Sequence, residues 1–105
     1  MQKETVGWTA GIIDGEGHLG AYANSRGKKK RPLLQVGNTN IQILEELKKH
    51  WGGIIYECTR KDRPKSKRIW TYRLYGEKLV FLLSIVQPFL IGKKKDAEKI
   101  TNRSG

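Results

Sequence analysis

The sequence predicts an α+β domain in which helices cover one face of a four-stranded antiparallel sheet and leave the other face open. Three observations lead there. The periodicity of apolar residues changes in the order helix, two strands, helix, two strands, helix, with no internal repeat. Each strand pair is joined by a basic hairpin loop, RGKKKR at 26–31 and KDRPKSK at 61–67. And 105 residues make one domain, 1–105, with too small a core for two independent units.

The first helix is expected from near Thr5, a capping residue type, to Gly17, because glycines on both sides of Glu16 disfavour continuation. Within it Gly7, Gly11 and Gly15 are spaced four apart and line one face as bare backbone. A glycine inside a helix costs about 1 kcal/mol relative to alanine, and close approach of a second helix is the gain that offsets it. From His18 the period becomes two: Leu19, Ala21 and Ala23 alternate with His18, Tyr22 and Asn24. After Pro32 a second strand, Leu33 to Asn38, turns Leu34 and Val36 inward and Gln35 outward with Leu33 and Arg31, which places Gln35 beside Tyr22 and Asn24.

Thr39 and Gln42 form a capping box for a helix whose stripe is Ile43, Leu44, Leu47 and Trp51, ended by Gly52 and Gly53. Gly53 to Arg60 is a third strand. Polarity puts Ile54, Tyr56 and Cys58 inside, and the opposite parity, exposing Tyr56 and Arg60, stays open. In the fourth strand, Arg68 to Tyr75, Trp70, Tyr72 and Leu74 face inward and Thr71 and Arg73 outward. Glu77 to Val86 is an apolar helix interrupted by Gln87 and Pro88. Phe89 and Leu90 complete the core, and a polar helix begins at Lys93.

The net charge of +11 implies a polyanionic partner, with nucleic acid the leading candidate. A membrane is disfavoured, since no apolar run approaches transmembrane length and no basic amphipathic helix dominates. A single cysteine, Cys58, excludes an internal disulfide or a thiolate zinc cluster and fits a reducing compartment. The opening MQKETVGW has no signal-peptide pattern, so an intracellular location is expected, in the cytoplasm or an organelle matrix.

Thr9 to Gly17, TAGIIDGEG, resembles the nine-residue signature of the LAGLIDADG homing endonucleases. It matches at Ala10, Gly11, Ile13, Asp14 and Gly17, conservatively at Ile12, Gly15 and Glu16, and departs at Thr9. QPFLIGKKKDAEKI, Gln87 to Ile100, resembles the segment of single-motif members in which a lysine follows a QPFL-like turn. The resemblance spans nearly the whole chain. It implies an αββαββα half-saddle whose open face binds DNA, and a homodimeric, intron-encoded enzyme that makes a Mg²⁺-dependent double-strand break at a long pseudo-palindromic target, with ions such as Mn²⁺ able to substitute. It further implies that Glu16 and the main-chain carbonyl of Gly15 hold the metal and that Lys93 offsets developing charge. Glu16 stands where many members have Asp. Asn38 is the candidate for holding water, with a turn or cap role before Thr39 equally open.

One carboxylate is too few for such a site, and two-fold pairing supplies the second. The expected dimer contact is Gly7, Ala10, Gly11, Asp14 and Gly15, with Asp14 structural rather than ligating. On the open face Asn24 and Gln35 are expected to read adenine, Arg26 and Arg73 guanine, and Tyr22 and Thr71 to touch bases. Lys28, Lys29, Lys30 and Arg31, with Arg60, Lys61, Arg63, Lys67 and Arg68 of the second hairpin, are expected at phosphates. His18 is read as a DNA contact and His50 as surface or core. Two other readings share this fold: an RNA-binding intron maturase and a catalytically inactive DNA-binding regulator.

Overall fold

The computed structural model describes residues 2–23, 30–58 and 68–104. Helix α1 is Lys3–Glu16, with Gln2 rather than Thr5 flanking its start. It runs directly into strand β1, Gly17–Ala23. Gly17 is extended, and its N–H closes the helix on the Ile12 and Ile13 carbonyls. A Cβ there would sit 2.8 Å from the Ile13 carbonyl oxygen, so glycine is what lets the helix pass straight into the strand. Strand β2 is Lys30–Asn38, helix α2 is Ile41–Trp51, strand β3 is Ile54–Cys58 and strand β4 is Ile69–Tyr75. Helix α3, Glu77–Val86, passes through one 3₁₀ turn, Gln87–Phe89, towards α4, Lys94–Ser104. The proline of that turn has no N–H to continue α3.

The strands form one antiparallel sheet in the order β1-β2-β4-β3. Its centre builds the core, because β2 and β4 are flanked on both sides and covered by helices. Leu34 pairs with Leu74 and Val36 with Tyr72, and all four are buried. Over them lie Val6, Ala10 and Ile13 of α1, Leu44, Leu47 and Trp51 of α2, and Leu79, Leu82, Leu83 and Val86 of α3. Leu90 joins this core, but Phe89, expected with it, is 52% exposed. The departure from the signature at Thr9 has a structural reason. The buried Thr9 hydroxyl donates to the Thr5 carbonyl at 2.7 Å and accepts the Trp51 indole N–H at 3.0 Å, tying α1 to α2.

Two sequence expectations are corrected. The cap of α2 is Asn40, whose side chain accepts from the Gln42 N–H, while Thr39 is exposed. Asparagine caps better than threonine, and the Asn38 side-chain Oδ1 prepares the turn by accepting from the Asn40 N–H at 2.8 Å. In β3 the favoured parity is reversed. Ile55 pairs with the inward Tyr72 and packs on the core, whereas Ile54 and Tyr56 pair with Arg73 and Thr71 on the open face. The register follows from Gly53, at φ +100, where a Cβ would meet the Arg73 carbonyl at 2.7 Å and the Tyr72 ring at 2.8 Å. Tyr72 locks the same corner by donating to the Gly52 carbonyl at 2.6 Å, and burial raises its hydroxyl pKa well above the ordinary range, keeping it a donor. No helix among the described residues is long and apolar enough to cross a membrane.

Candidate metal and nucleic-acid site

The last residue of α1 is Glu16, exposed where the helix enters the sheet. Asn38, at the end of the neighbouring strand, donates its Nδ2 to Glu16 Oε2 at 2.6 Å, and its Oδ1 is held by the Asn40 N–H. Both ends of the Asn38 amide are therefore engaged, and one carboxylate oxygen of Glu16 is positioned by a group that is itself fixed. The turn and carboxylate-holding roles of Asn38 coexist.

Asp14, two residues earlier and so about 200° around the helix, faces the other way. Its carboxylate accepts from the Ile91 N–H at 2.7 Å and the Lys93 N–H at 3.0 Å, clasping the approach to α4 against the end of α1. Lys93 Nζ in turn donates to the Asp14 carbonyl at 2.9 Å. A cation at a helix C-terminus, where carbonyl oxygens lack intrahelical partners, is the favourable arrangement. Asp14 was expected to serve contact with a second copy, but these bonds are made within its own chain.

The oxygen donors here, the Glu16 carboxylate and the Gly15 carbonyl beside it, suit a hard divalent cation. Among the described residues no group of three or more His, Cys, Asp or Glu could hold a metal. One chain thus supplies part of such a site.

The glycine face of α1 is open. A Cβ at Gly7, Gly11 or Gly15 would meet nothing within 4 Å, and Trp8 stands beside them 37% exposed. Ala10 does not belong to that face: it is 2% exposed, inside its own chain's core, because one step from Gly11 is 100° around the helix.

On the open sheet face, register sets the neighbours. Gln35 lies opposite His18 on one side and Arg73 on the other. Tyr22, expected beside Gln35, instead pairs with Arg31, four residues farther along the strands. Arg73 Nε donates to Gln35 Oε1 at 3.2 Å, so one lone pair of the oxygen that an adenine-reading Gln35 would use is engaged within the sheet. The Arg73 guanidinium lies 4.9 Å from the centroid of the Tyr56 ring. Thr71 has the expected outward parity but is only 4% exposed, too covered to touch DNA. Arg31 is exposed, and Arg68 pairs with Glu57 at 3.3 Å. His18 is exposed, and His50 pairs with Glu46 at 3.2 Å. Lys30 is placed as the first residue of β2. Asn24, Arg26, Lys28, Lys29, Arg60, Lys61, Arg63 and Lys67 lie outside the described residues. Tyr56 is the residue that sequence reasoning missed, and the alternative parity of β3 was the signal that pointed to it.

No protein-family model matches the chain, and no curated protein does. Solved structures do. The homing endonuclease I-CvuI in complex with its target in the presence of Ca superposes with a TM-score of 0.75 at 22% identity, over 94% of this chain and 64% of that one. The archaeal intron-encoded homing endonuclease I-Vdi141I complexed with DNA gives 0.76 at 23%, over 97% and 67%. The LAGLIDADG meganuclease I-AabMI bound to uncleaved DNA gives 0.70 at 20%, over 92% of this chain and 35% of that one. The chain therefore spans about two thirds of I-CvuI and about a third of I-AabMI. With a helix that ends on Glu16, an antiparallel sheet open on one side and helices on the other, this chain has the half-saddle fold of the LAGLIDADG homing endonucleases.

Proposed function

We propose that the chain is a site-specific, divalent-metal-dependent DNA endonuclease that acts as a homodimer. The observation that carries this reading is the Glu16 carboxylate, exposed at the end of a glycine-faced helix, steered by Asn38 and set at the margin of the open sheet face. Two copies joined along Gly7, Gly11 and Gly15 bring two such carboxylates together, one for each strand of a duplex. Mg²⁺, or Mn²⁺ in its place, held by Glu16 and the Gly15 carbonyl, would lower the pKa of water and offset charge on the phosphate oxygens.

The protein's own groups do the rest. Asn38 holds Glu16 in place with one amide N–H and presents the other to water, and the Lys93 ammonium, held on the Asp14 carbonyl, offsets charge at the reacting phosphate. The open face and the basic hairpins bind the duplex, and the two-fold axis makes the target a pseudo-palindrome. An intron origin and an intracellular site of action belong to the same proposal.

The test is repeated selection of cleaved molecules from a randomised duplex library in Mg²⁺. A recurring two-fold-symmetric site, cut in both strands and spared in EDTA, is expected. Selected duplexes that are bound but never cut would make the chain a DNA-binding regulator, and preference for structured intron RNA would make it a maturase; either result overturns the proposal.

A further inference from the structure

The open face holds one cluster whose hydrogen-bonding capacity is already partly spent. Arg73 of β4 and Gln35 of β2 are direct cross-strand partners, both half-buried, and Arg73 Nε donates to Gln35 Oε1 at 3.2 Å. Tyr56 of β3, the diagonal neighbour of Arg73, places its ring 4.9 Å from the guanidinium carbon. The ring and the amide oxygen together restrict the guanidinium. One fixes it by cation–π contact and the other takes the donor at the base of the fork.

What Arg73 offers a partner is donors only, its Nη groups, and the Gln35 Nε2 beside them adds a further donor, while one of the two lone pairs of Gln35 Oε1 is taken by Arg73 Nε. Among major-groove base edges, guanine alone offers two acceptors, O6 and N7. Adenine and cytosine each place an amino donor there, and thymine a methyl group beside its single acceptor.

We infer that Gln35, Arg73 and Tyr56 form one guanine-reading unit, in which Arg73 supplies the fork, Gln35 a further donor, and Tyr56 is a positioning residue that fixes the plane of the guanidinium. The inference rests on the proposed reading that the open face binds duplex DNA. It reassigns Gln35, whose lone amide would select adenine. It also places the guanine. The Gln35–Arg73 pair is one residue from the Gly17–Val36 pair that adjoins Glu16, whereas the Tyr22–Arg31 pair lies four residues farther out. At ~3.3 Å per residue that is about 13 Å, or roughly four base steps, so the guanine falls in the inner part of each half-site.

The experiment is selection of bound duplexes from a randomised library, in EDTA so that nothing is cut, by the full chain and by Tyr56→Ala, Tyr56→Phe and Arg73→Lys. The parent is expected to prefer guanine at one inner position of each half-site by about 5- to 150-fold. Arg73→Lys, which keeps the charge but loses the fork, should abolish that preference. Tyr56→Ala should weaken it by about 2- to 5-fold, with the other positions unchanged. Tyr56→Phe, which keeps the ring, should restore it.

Adenine at that position, no preferred base there, or undiminished guanine preference in Arg73→Lys would each overturn the inference while leaving DNA reading intact. Undiminished preference in Tyr56→Ala would remove the positioning role. If Tyr56→Ala fails to fold, Arg73→Lys and Tyr56→Phe still decide. A parent that enriches no sequence at all would overturn the inference together with the reading it rests on.

Discussion

Replacing Gly11 with leucine separates what the glycine face does for one chain from what it does for a pair. Within the chain the substitution meets no obstacle. A Cβ at Gly11 touches nothing within 4 Å, and Gly11 is not among the glycines with positive φ, which among the described residues are Gly52, Gly53 and Gly76. Removing a glycine from a helix interior in favour of leucine should therefore stabilise the single chain by about 0.7 kcal/mol, equivalent to roughly 3–5 °C in Tm for a domain of this size. Between chains the sign reverses. Helices that meet through bare backbone have no room for two leucine side chains, one from each copy, so the dimer should be lost. Sedimentation gives the association state, and urea unfolding over a tenfold range of protein concentration gives the linkage. The parent's midpoint should rise with concentration and the variant's should not. A Gly11→Leu protein that sediments as an intact dimer would refute the reasoning, since the face would then be idle and its glycines unexplained.

Other perturbations probe the internal supports of the site. Thr9→Val keeps the shape of the side chain but strands the buried Trp51 N–H, and should cost about 1–3 kcal/mol in urea unfolding at fixed protein concentration. A loss below ~0.5 kcal/mol would mean the Thr9–Trp51 bond is not a net tie between α1 and α2. Asp14→Asn removes the charge that holds the Ile91 and Lys93 N–H groups, and should lower stability by about 1–3 kcal/mol and slow cleavage while the dimer persists. Unchanged cleavage would show that Lys93 does not depend on that clasp.

The central strands were legible in the sequence because both sides of each are occupied. Leu34, Val36, Tyr72 and Leu74 alternate with polar residues, and their inward direction follows from period alone. The edge strand β3 was not legible, for the same physical reason inverted. With less cover on its inner side it can keep Glu57 there, paired with Arg68, and can leave Ile54 49% exposed on the open face. Polarity therefore pointed the wrong way.

Helical spacing found the glycine face. Treating the signature as a block, however, swept in Ala10, which one residue's rotation carries into the core. The role of Asp14 could not be read locally because its partners lie 77 and 79 residues away. Glu16, Asn38 and Lys93 were singled out as candidates through resemblance. The bonds that hold them, Asn38 to Glu16 and Lys93 to the Asp14 carbonyl, became visible only once the chain was folded.

The central claim is that the charge of Glu16 drives cleavage and takes no part in holding DNA. Glu16→Gln tests it most directly, because the amide oxygen of glutamine can still accept from Asn38 Nδ2, so the local geometry has a reason to survive. Binding and cleavage of one selected duplex are measured side by side, binding in EDTA and cleavage in Mg²⁺. Affinity should be unchanged or slightly higher, since a carboxylate near phosphates has been neutralised, while cutting of both strands should vanish, since a neutral amide oxygen is a poor ligand for a hard cation. A Glu16→Gln dimer that cuts both strands at a rate near the parent's would contradict the claim.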